Sequence, residues 1–337
     1  MPDSFVIRPR ATSRFVESAQ TADTEYLPID PAFGPLAEHC ADPDVTDIFV
    51  NGAQGLFVDR GHGAEAVPGW SASEREVRDL AVALVGLGGR HLDDQAPCVD
   101  VRLDSGIRVH AVLAPVATAG TALSIRVPRV RAADLDALAA LGTFDARGQS
   151  WLVRLVHERA NILITGGTGT GKTTLLSALL SAAPASERIV TIEDVAELRP
   201  RHPHHVALEA RQSNLEGAGG ISLARLVRES LRMRPDRLVV GECRGEEVRE
   251  LLTALNTGHD GGAGTLHASG LSDVPARMEA LGALAGMDAA ALARQVVSAF
   301  TVVLHLERAP DGRRRIAQAG EFTLTDDRLS IVEVQPW

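Results

Sequence analysis

The stretch NILITGGTGTGKTT, residues 161–174, decides the fold. Its first five residues read as a buried strand. Gly166, Gly171, Lys172 and Thr173 then satisfy the pattern G-x-x-x-x-G-K-[ST], directly after that strand and at the opening of a helix. Glycines at such a turn let backbone N–H groups point inward at phosphate oxygens, and the helix N-terminus adds partial positive charge. The nucleotide-binding loop is therefore read as Gly166, Gly167, Thr168, Gly169, Thr170, Gly171, Lys172, Thr173 and Thr174. Lys172 is expected to reach the β and γ phosphates of ATP, and the Thr173 hydroxyl is expected on Mg²⁺. Lys172 is also the sole lysine of the chain, among 34 Lys and Arg. Arginine is the background habit, as a GC-rich coding bias produces. A compact ammonium fits inside the loop as a point charge, whereas a planar, five-donor guanidinium does not.

Downstream, strand and helix alternate. RIVTIED (188–194), RLVVGE (237–242), GTLHA (264–268) and FTVVLHL (300–306) read as strands; LARLVRESLRM (223–233) and EEVRELLTALNTG read as helices. Such units imply a parallel sheet covered on both faces. DGRRR (311–315) reads as the turn of a closing hairpin. Upstream, DIFVNG and GLFVDR form a hairpin pattern. Ser73 and Glu76 make a capping box ahead of Val77, Leu80, Ala81, Leu84 and Val85 at helical spacing, and Gly88–Gly89 stops that helix. VDVRL, IRVHAVLAP and ALSIRVP add three strands. The expected domains are an arm at 1–30, an α+β flanking domain at 31–130, a linker at 131–150 and the nucleotide domain at 151–337.

Acids gather where ligands collect in parallel sheets, at the carboxyl ends of strands. Glu193 and Asp194 end one strand, with Asp194 a candidate Mg²⁺ ligand. Glu242 ends another, placed either as a base that orients the attacking water or as a group behind Mg²⁺. The acid usual at that strand end is missing; Asp236 precedes the strand. TGHDGGAGTLHA (257–268) sets His259, Asp260 and His267 around a glycine loop, where a histidine either senses the γ phosphate or is a satisfied core residue. RHPHH (201–205) carries little metal signal, because Pro203 breaks helical spacing and no carboxylate joins it. A net charge of −10 argues against wrapping nucleic acid. Cys40, Cys98 and Cys243 lack metal or redox spacing and read as reduced thiols. The reduced thiols read as those of a cytoplasmic protein; no apolar run approaches bilayer length, so if the protein works at a membrane, partners are expected to recruit it there.

Four blocks in order, GGTGTGKTT, IVTIEDVAEL, LRMRPDRLVVGECRG and NTGHDGGAGTLHA, resemble the type II/type IV secretion ATPases, and most of all the Tad/Flp-pilus, CpaF-type branch. DVTDIFVNG and SGIRVHAVLAPVATAGTALSIR resemble that family's N-terminal flanking domain, so the similarity spans about residues 40–308. The resemblance implies an α/β fold: a RecA-like P-loop NTPase domain with a smaller, PAS-like α+β flanking domain. It places Glu193 and Asp194 in the Asp box, makes Glu242 the catalytic glutamate, and puts His259 and His267 in the His box. It implies that Arg108 and Arg126 complete the site from the flanking domain. It further implies hexameric rings that hydrolyse ATP with Mg²⁺ and dock on a polytopic inner-membrane platform protein to power pilus assembly or protein secretion. A nucleic-acid motor, conjugative pump or helicase, is the alternative on the same core. Two departures stand out: Gly262–Ala263–Gly264 replaces a Ser-Met-Ser frequent in the family, and Val127 follows Arg126 where a Lys is frequent.

Overall fold

In the computed structural model, residues 29–61, 63–103, 106–127, 134–211 and 219–335 are described. Most of the arm at 1–30 and the first part of the expected linker lie outside them.

The N-terminal part holds α1 (Ala37–Ala41), β1 (Asp47–Asn51), β2 (Leu56–Asp59), β3 (Ala64–Ala66), α2 (Glu74–Leu87), β4 (Cys98–Arg102), β5 (Arg108–Val112) and β6 (Ala122–Arg126). The strands form one antiparallel sheet in the order β3-β2-β1-β6-β5-β4. Strict alternation along β1, β5 and β6 buries one side of each strand. That side packs with Val77, Ala81, Leu84 and Val85 of α2. The Ser73–Glu76 capping box forms as the sequence requires. Gly88 sits so close to Val101 that a Cβ there would lie 2.5 Å from the valine Cβ, which lets the helix end pack on β4.

The second part holds α3 (Leu135–Ala140), α4 (Ala146–His157), β7 (Ile162–Gly166), α5 (Lys172–Ser181), β8 (Ile189–Glu193), β9 (His205–Glu209), α6 (Leu223–Ser230), β10 (Arg237–Val240), α7 (Glu247–Leu255), β11 (Ala263–His267), α8 (Val274–Leu284), α9 (Ala289–Ala299), β12 (Val302–Arg308), β13 (Arg314–Thr325) and β14 (Arg328–Val334). Its eight-stranded sheet runs β14-β13-β12-β7-β11-β10-β8-β9. The six strands from β12 to β9 are parallel, and β13 and β14 close the sheet as antiparallel strands. Every residue of β7, β8 and β10 is buried, because helices cover both faces. The sheet order sets the stage: β7 carries the phosphate loop between β11 on one side and β12 on the other.

From Asp134 on, the segment read as a linker carries α3 and the start of α4: Leu135, Leu138 and Phe144 are buried in one core with Leu152, Leu155 and Leu175, and Asp134 and Asp145 cap the two helices. This part of the segment packs into the second domain's core. The RHPHH stretch leads into the edge strand β9, and its histidines are engaged locally: His204 Nε2 with Arg188 at 2.7 Å, His205 Nε2 with Thr191 Oγ1 at 2.9 Å, and His202 Nε2 with Pro184 O at 3.0 Å. Two arginines cross between the domains. Arg102 of β4 donates to Glu209 and, at 3.0 Å, to Ala196 O. Arg308 of β12 donates to Gly61 O at 2.6 Å.

Candidate active site

The loop between β7 and α5 is shaped by glycine. Gly166, Gly169 and Gly171 have φ of 148°, 74° and 96°, a region other L-residues rarely adopt. A Cβ on Gly166 would also collide with Leu306 O of the neighbouring strand and stand 2.7 Å from Thr170 Oγ1. Lys172 opens α5 and turns back under the loop, 8% exposed. Its Nζ donates to Gly166 O at 3.0 Å and Gly167 O at 2.8 Å. Burial pulls this ammonium below its ordinary range, opposed by the charge of Glu242. A cation held by neutral acceptors inside a ring of backbone is a receptor for anionic oxygens.

β11 ends beside the loop, with His267 paired in register to Gly166. His267 Nδ1 is 3.4 Å from Lys172 Nζ, and its Nε2 is 2.6 Å from Glu242 Oε1. One neutral tautomer satisfies both contacts: Nδ1 accepts from the ammonium and Nε2–H donates to the carboxylate. Burial, followed by the Lys172 cation, holds the imidazole below its ordinary range. Glu242 stands just past β10, and its other oxygen accepts from Arg244 Nε at 2.7 Å. Arg244 also approaches Asp194 at 3.7 Å. Lysine, histidine, glutamate, arginine and aspartate thus form one continuous polar chain from inside the phosphate loop to the exposed end of β8.

The chain matches the type II/IV secretion system protein family model over residues 32–330. It belongs to that family, a family of ATPases. It is 50% identical over 295 residues to a Mycobacterium tuberculosis protein named for conjugal transfer, covering 86% of this chain and 84% of the relative. Conjugal transfer protein TrbB of Rhizobium radiobacter is 33% identical over 281 residues, with 81% and 82% covered. The fold is similar to that of the pilus retraction motor PilT solved with bound ADP, with a TM-score of 0.60 at 20% identity over 83% of this chain and 81% of that one.

Not every residue expected at this secretion ATPase's site arrives there. Lys172, Glu242, His267 and Asp194 do. Glu193 does not. It is 5% exposed, and Oε1 accepts from the backbone N–H of Glu197 and Leu198 at 3.0 and 3.1 Å. Its carboxyl shapes the turn after β8 instead of facing the loop; burial pushes its pKa up to about 7 against those two hydrogen bonds. His259 and Asp260 precede β11 and so stand at the amino edge of the sheet, one strand length of roughly 15 Å from the loop. His259 Nδ1 lies 3.2 Å from Ala254 O at the end of α7, and Asp260 O accepts from Arg159. Arg108 and Arg126 are direct cross-strand partners, Arg108 opposes Arg102 as well, and Arg108 pairs with Asp100 at 3.3 Å. Acids already offset this row: Asp100 meets Arg108, Glu209 meets Arg102, and Asp47 is the register partner of Arg126. The Arg102 end reaches the second domain. Sequence reading did not single out Arg102 or Arg244: Arg102 ends β4 and Arg244 follows Glu242 by two residues, and neither position signals a role until the strands are assembled.

Proposed function

We propose that this chain is a motor ATPase that hydrolyses ATP with Mg²⁺ to power pilus assembly of the Tad/Flp type or protein secretion at the inner membrane. The observation that carries the reading is the Lys172–His267–Glu242 chain at a complete phosphate loop. Lys172 trades two loop carbonyls for the β and γ phosphates. His267, freed of the ammonium at Nδ1, can then contact the γ phosphate while Nε2–H keeps hold of Glu242. A carboxylate has about four lone-pair sites, so Glu242 can accept from His267 and Arg244 and still take a proton from water. The Thr173 hydroxyl and the Asp194 carboxylate are hard oxygen donors that would hold Mg²⁺, which would neutralise phosphate charge during transfer. Arg108 and Arg126 are assigned to the nucleotide from the flanking domain, and hexameric rings docked on a polytopic inner-membrane protein are assigned from the four sequence blocks. Among the described residues no helix is long and apolar enough to cross a membrane.

The names of the conjugal transfer relatives favour a second reading, a nucleic-acid pump on the same core. Steady-state ATPase of the purified full chain, with and without single-stranded DNA, separates the two. We expect Mg²⁺-dependent turnover that Lys172→Ala abolishes and that DNA leaves unchanged. Stimulation by single-stranded DNA would move the assignment to the pump.

A further inference from the structure

The turn between β12 and β13 brings an arginine onto the phosphate loop from the side opposite the acids. Arg314, the first residue of β13, donates from Nε to Gly169 O at 3.0 Å. Its stem lies against the loop as well: a Cβ on Gly171 would stand 3.2 Å from Arg314 Cδ, so the bare glycine makes room for it. The hairpin carrying Arg314 is itself tied down, because Arg308 donates to Gly312 O at 3.4 Å within the turn and to Gly61 O of the flanking domain. Arg314 is exposed, yet it is aimed at the loop.

Sheet order says which part of a nucleotide would meet it. The groups suited to the terminal phosphate, His267, Glu242, Arg244 and Asp194, all belong to β11, β10 and β8 or the turns that follow them, on one side of β7. A triphosphate held in the loop with its γ end there must direct its other end across β7, toward β12 and β13. Arg314 meets the loop from that β12–β13 side, at Gly169 O and against Gly171. Its guanidinium is thus placed toward the nucleoside end of the site, and a planar cationic group of this kind stacks on a purine ring.

We propose that Arg314 is a positioning residue for the nucleoside of ATP and ADP: it fixes the loop through Gly169 O and packs its guanidinium on the base or sugar. This inference rests on reading the loop as the nucleotide site. It assigns Arg314 to affinity and not to the chemical step, which belongs to the opposite side of β7.

The test is isothermal titration of the full-length chain with ADP and, separately, with inorganic tripolyphosphate, which fills the loop but has no nucleoside. Arg314→Ala should weaken ADP about 5- to 10-fold, raise the KM for ATP by a similar factor, and leave kcat within about twofold. Tripolyphosphate affinity should match wild type. Arg314→Lys, which keeps a donor for Gly169 O but loses the planar face, should remain as weak for ADP as the alanine variant. Equal melting temperatures without ligand certify that the variants fold. Unchanged ADP affinity in Arg314→Ala would overturn the inference alone. An equal loss for tripolyphosphate and ADP would reduce Arg314 to a loop brace and overturn the nucleoside contact. Failure of the wild-type chain to bind ADP would overturn both this inference and the reading of the site beneath it.

Discussion

At residue 242 a carboxylate is gripped on one oxygen by His267 and on the other by Arg244. Glu242→Gln keeps the shape and one acceptor but cannot take a proton. ATP affinity should persist and turnover should fall by about 10²-fold or more, the usual scale for losing a general base. Titration beside steady-state kinetics decides it; a collapse of affinity would make Glu242 chiefly a Mg²⁺ ligand. His267 predicts a different pattern. Because it bridges Lys172 and Glu242, His267→Ala should bind ATP nearly as wild type, turn over more slowly, and lose pilus or secretion output more than ATPase rate. Equal losses of both would point to a plain catalytic or packing role. Glu193 belongs to stability. Its carboxyl is pushed from 4.5 up to about 7 by burial, so the folded state holds a proton that the unfolded chain has released over that interval. Its contribution is fully present below pH 4.5 and is lost as pH rises through about 7. Wild-type melting temperature should therefore fall more steeply between pH 5.5 and pH 8 than that of Glu193→Gln. Parallel curves would show that this carboxyl does not titrate there.

Among the elements, the turn before β11 shows why one sequence departure matters. A Cβ on Gly262 would overlap Leu255 Cδ2 and lie 2.9 Å from Leu238 O, whereas one on Gly264 would meet Cys243 Sγ and Leu251 Cδ2 at 3.4 Å, an ordinary contact. Leu255 of α7 has filled the space at 262, so glycine there is demanded by packing. Gly262→Ser should destabilise the chain by about 1–3 kcal/mol, while Gly264→Ser should cost less; urea midpoints of the two variants compare them. If both variants match wild type, α7 is packed more loosely on the sheet than these contacts imply. The capping box of α2 and the glycine turn of the phosphate loop belong to the same scale. Each is a local pattern whose energy is spent within a few residues, which is why both could be read directly from sequence.

The whole molecule adds the flanking arginines. Arg102, Arg108 and Arg126 form one row across β4, β5 and β6, and Arg102 meets Glu209 and Ala196 of its own chain. The Arg102 end of the row thus meets the second domain of the same chain, and action on that chain's own ATP is the expectation. Mixing inactive Lys172→Ala with inactive Arg108→Ala/Arg126→Ala should then leave any mixed assembly without a complete site and without activity. Recovered ATPase would show the arginines acting on a neighbour, and full activity of the double arginine variant alone would remove them from the reaction. A further arginine at a phosphoryl-transfer site is worth about 10³-fold or more in rate, so either outcome is easily measured.

What the sequence determined by itself was whatever depends on neighbours in the chain. The strand–glycine loop–helix unit, the parallel α/β class, the sole lysine and the acid at the end of β10 are all settled by short-range geometry and periodicity. Tertiary structure decided the rest. Glu193 and Glu242 both stand at strand ends, and only the fold of residues 194–198 shows that one is turned into backbone while the other faces His267. His259 and His267 sit eight residues apart in sequence, and only the direction of β11 sends one to each edge of the sheet. Arg314 was legible as part of a hairpin turn. That its side chain closes on Gly169, 145 residues away, is fixed by β12 pairing with β7, a long-range register that no local pattern encodes.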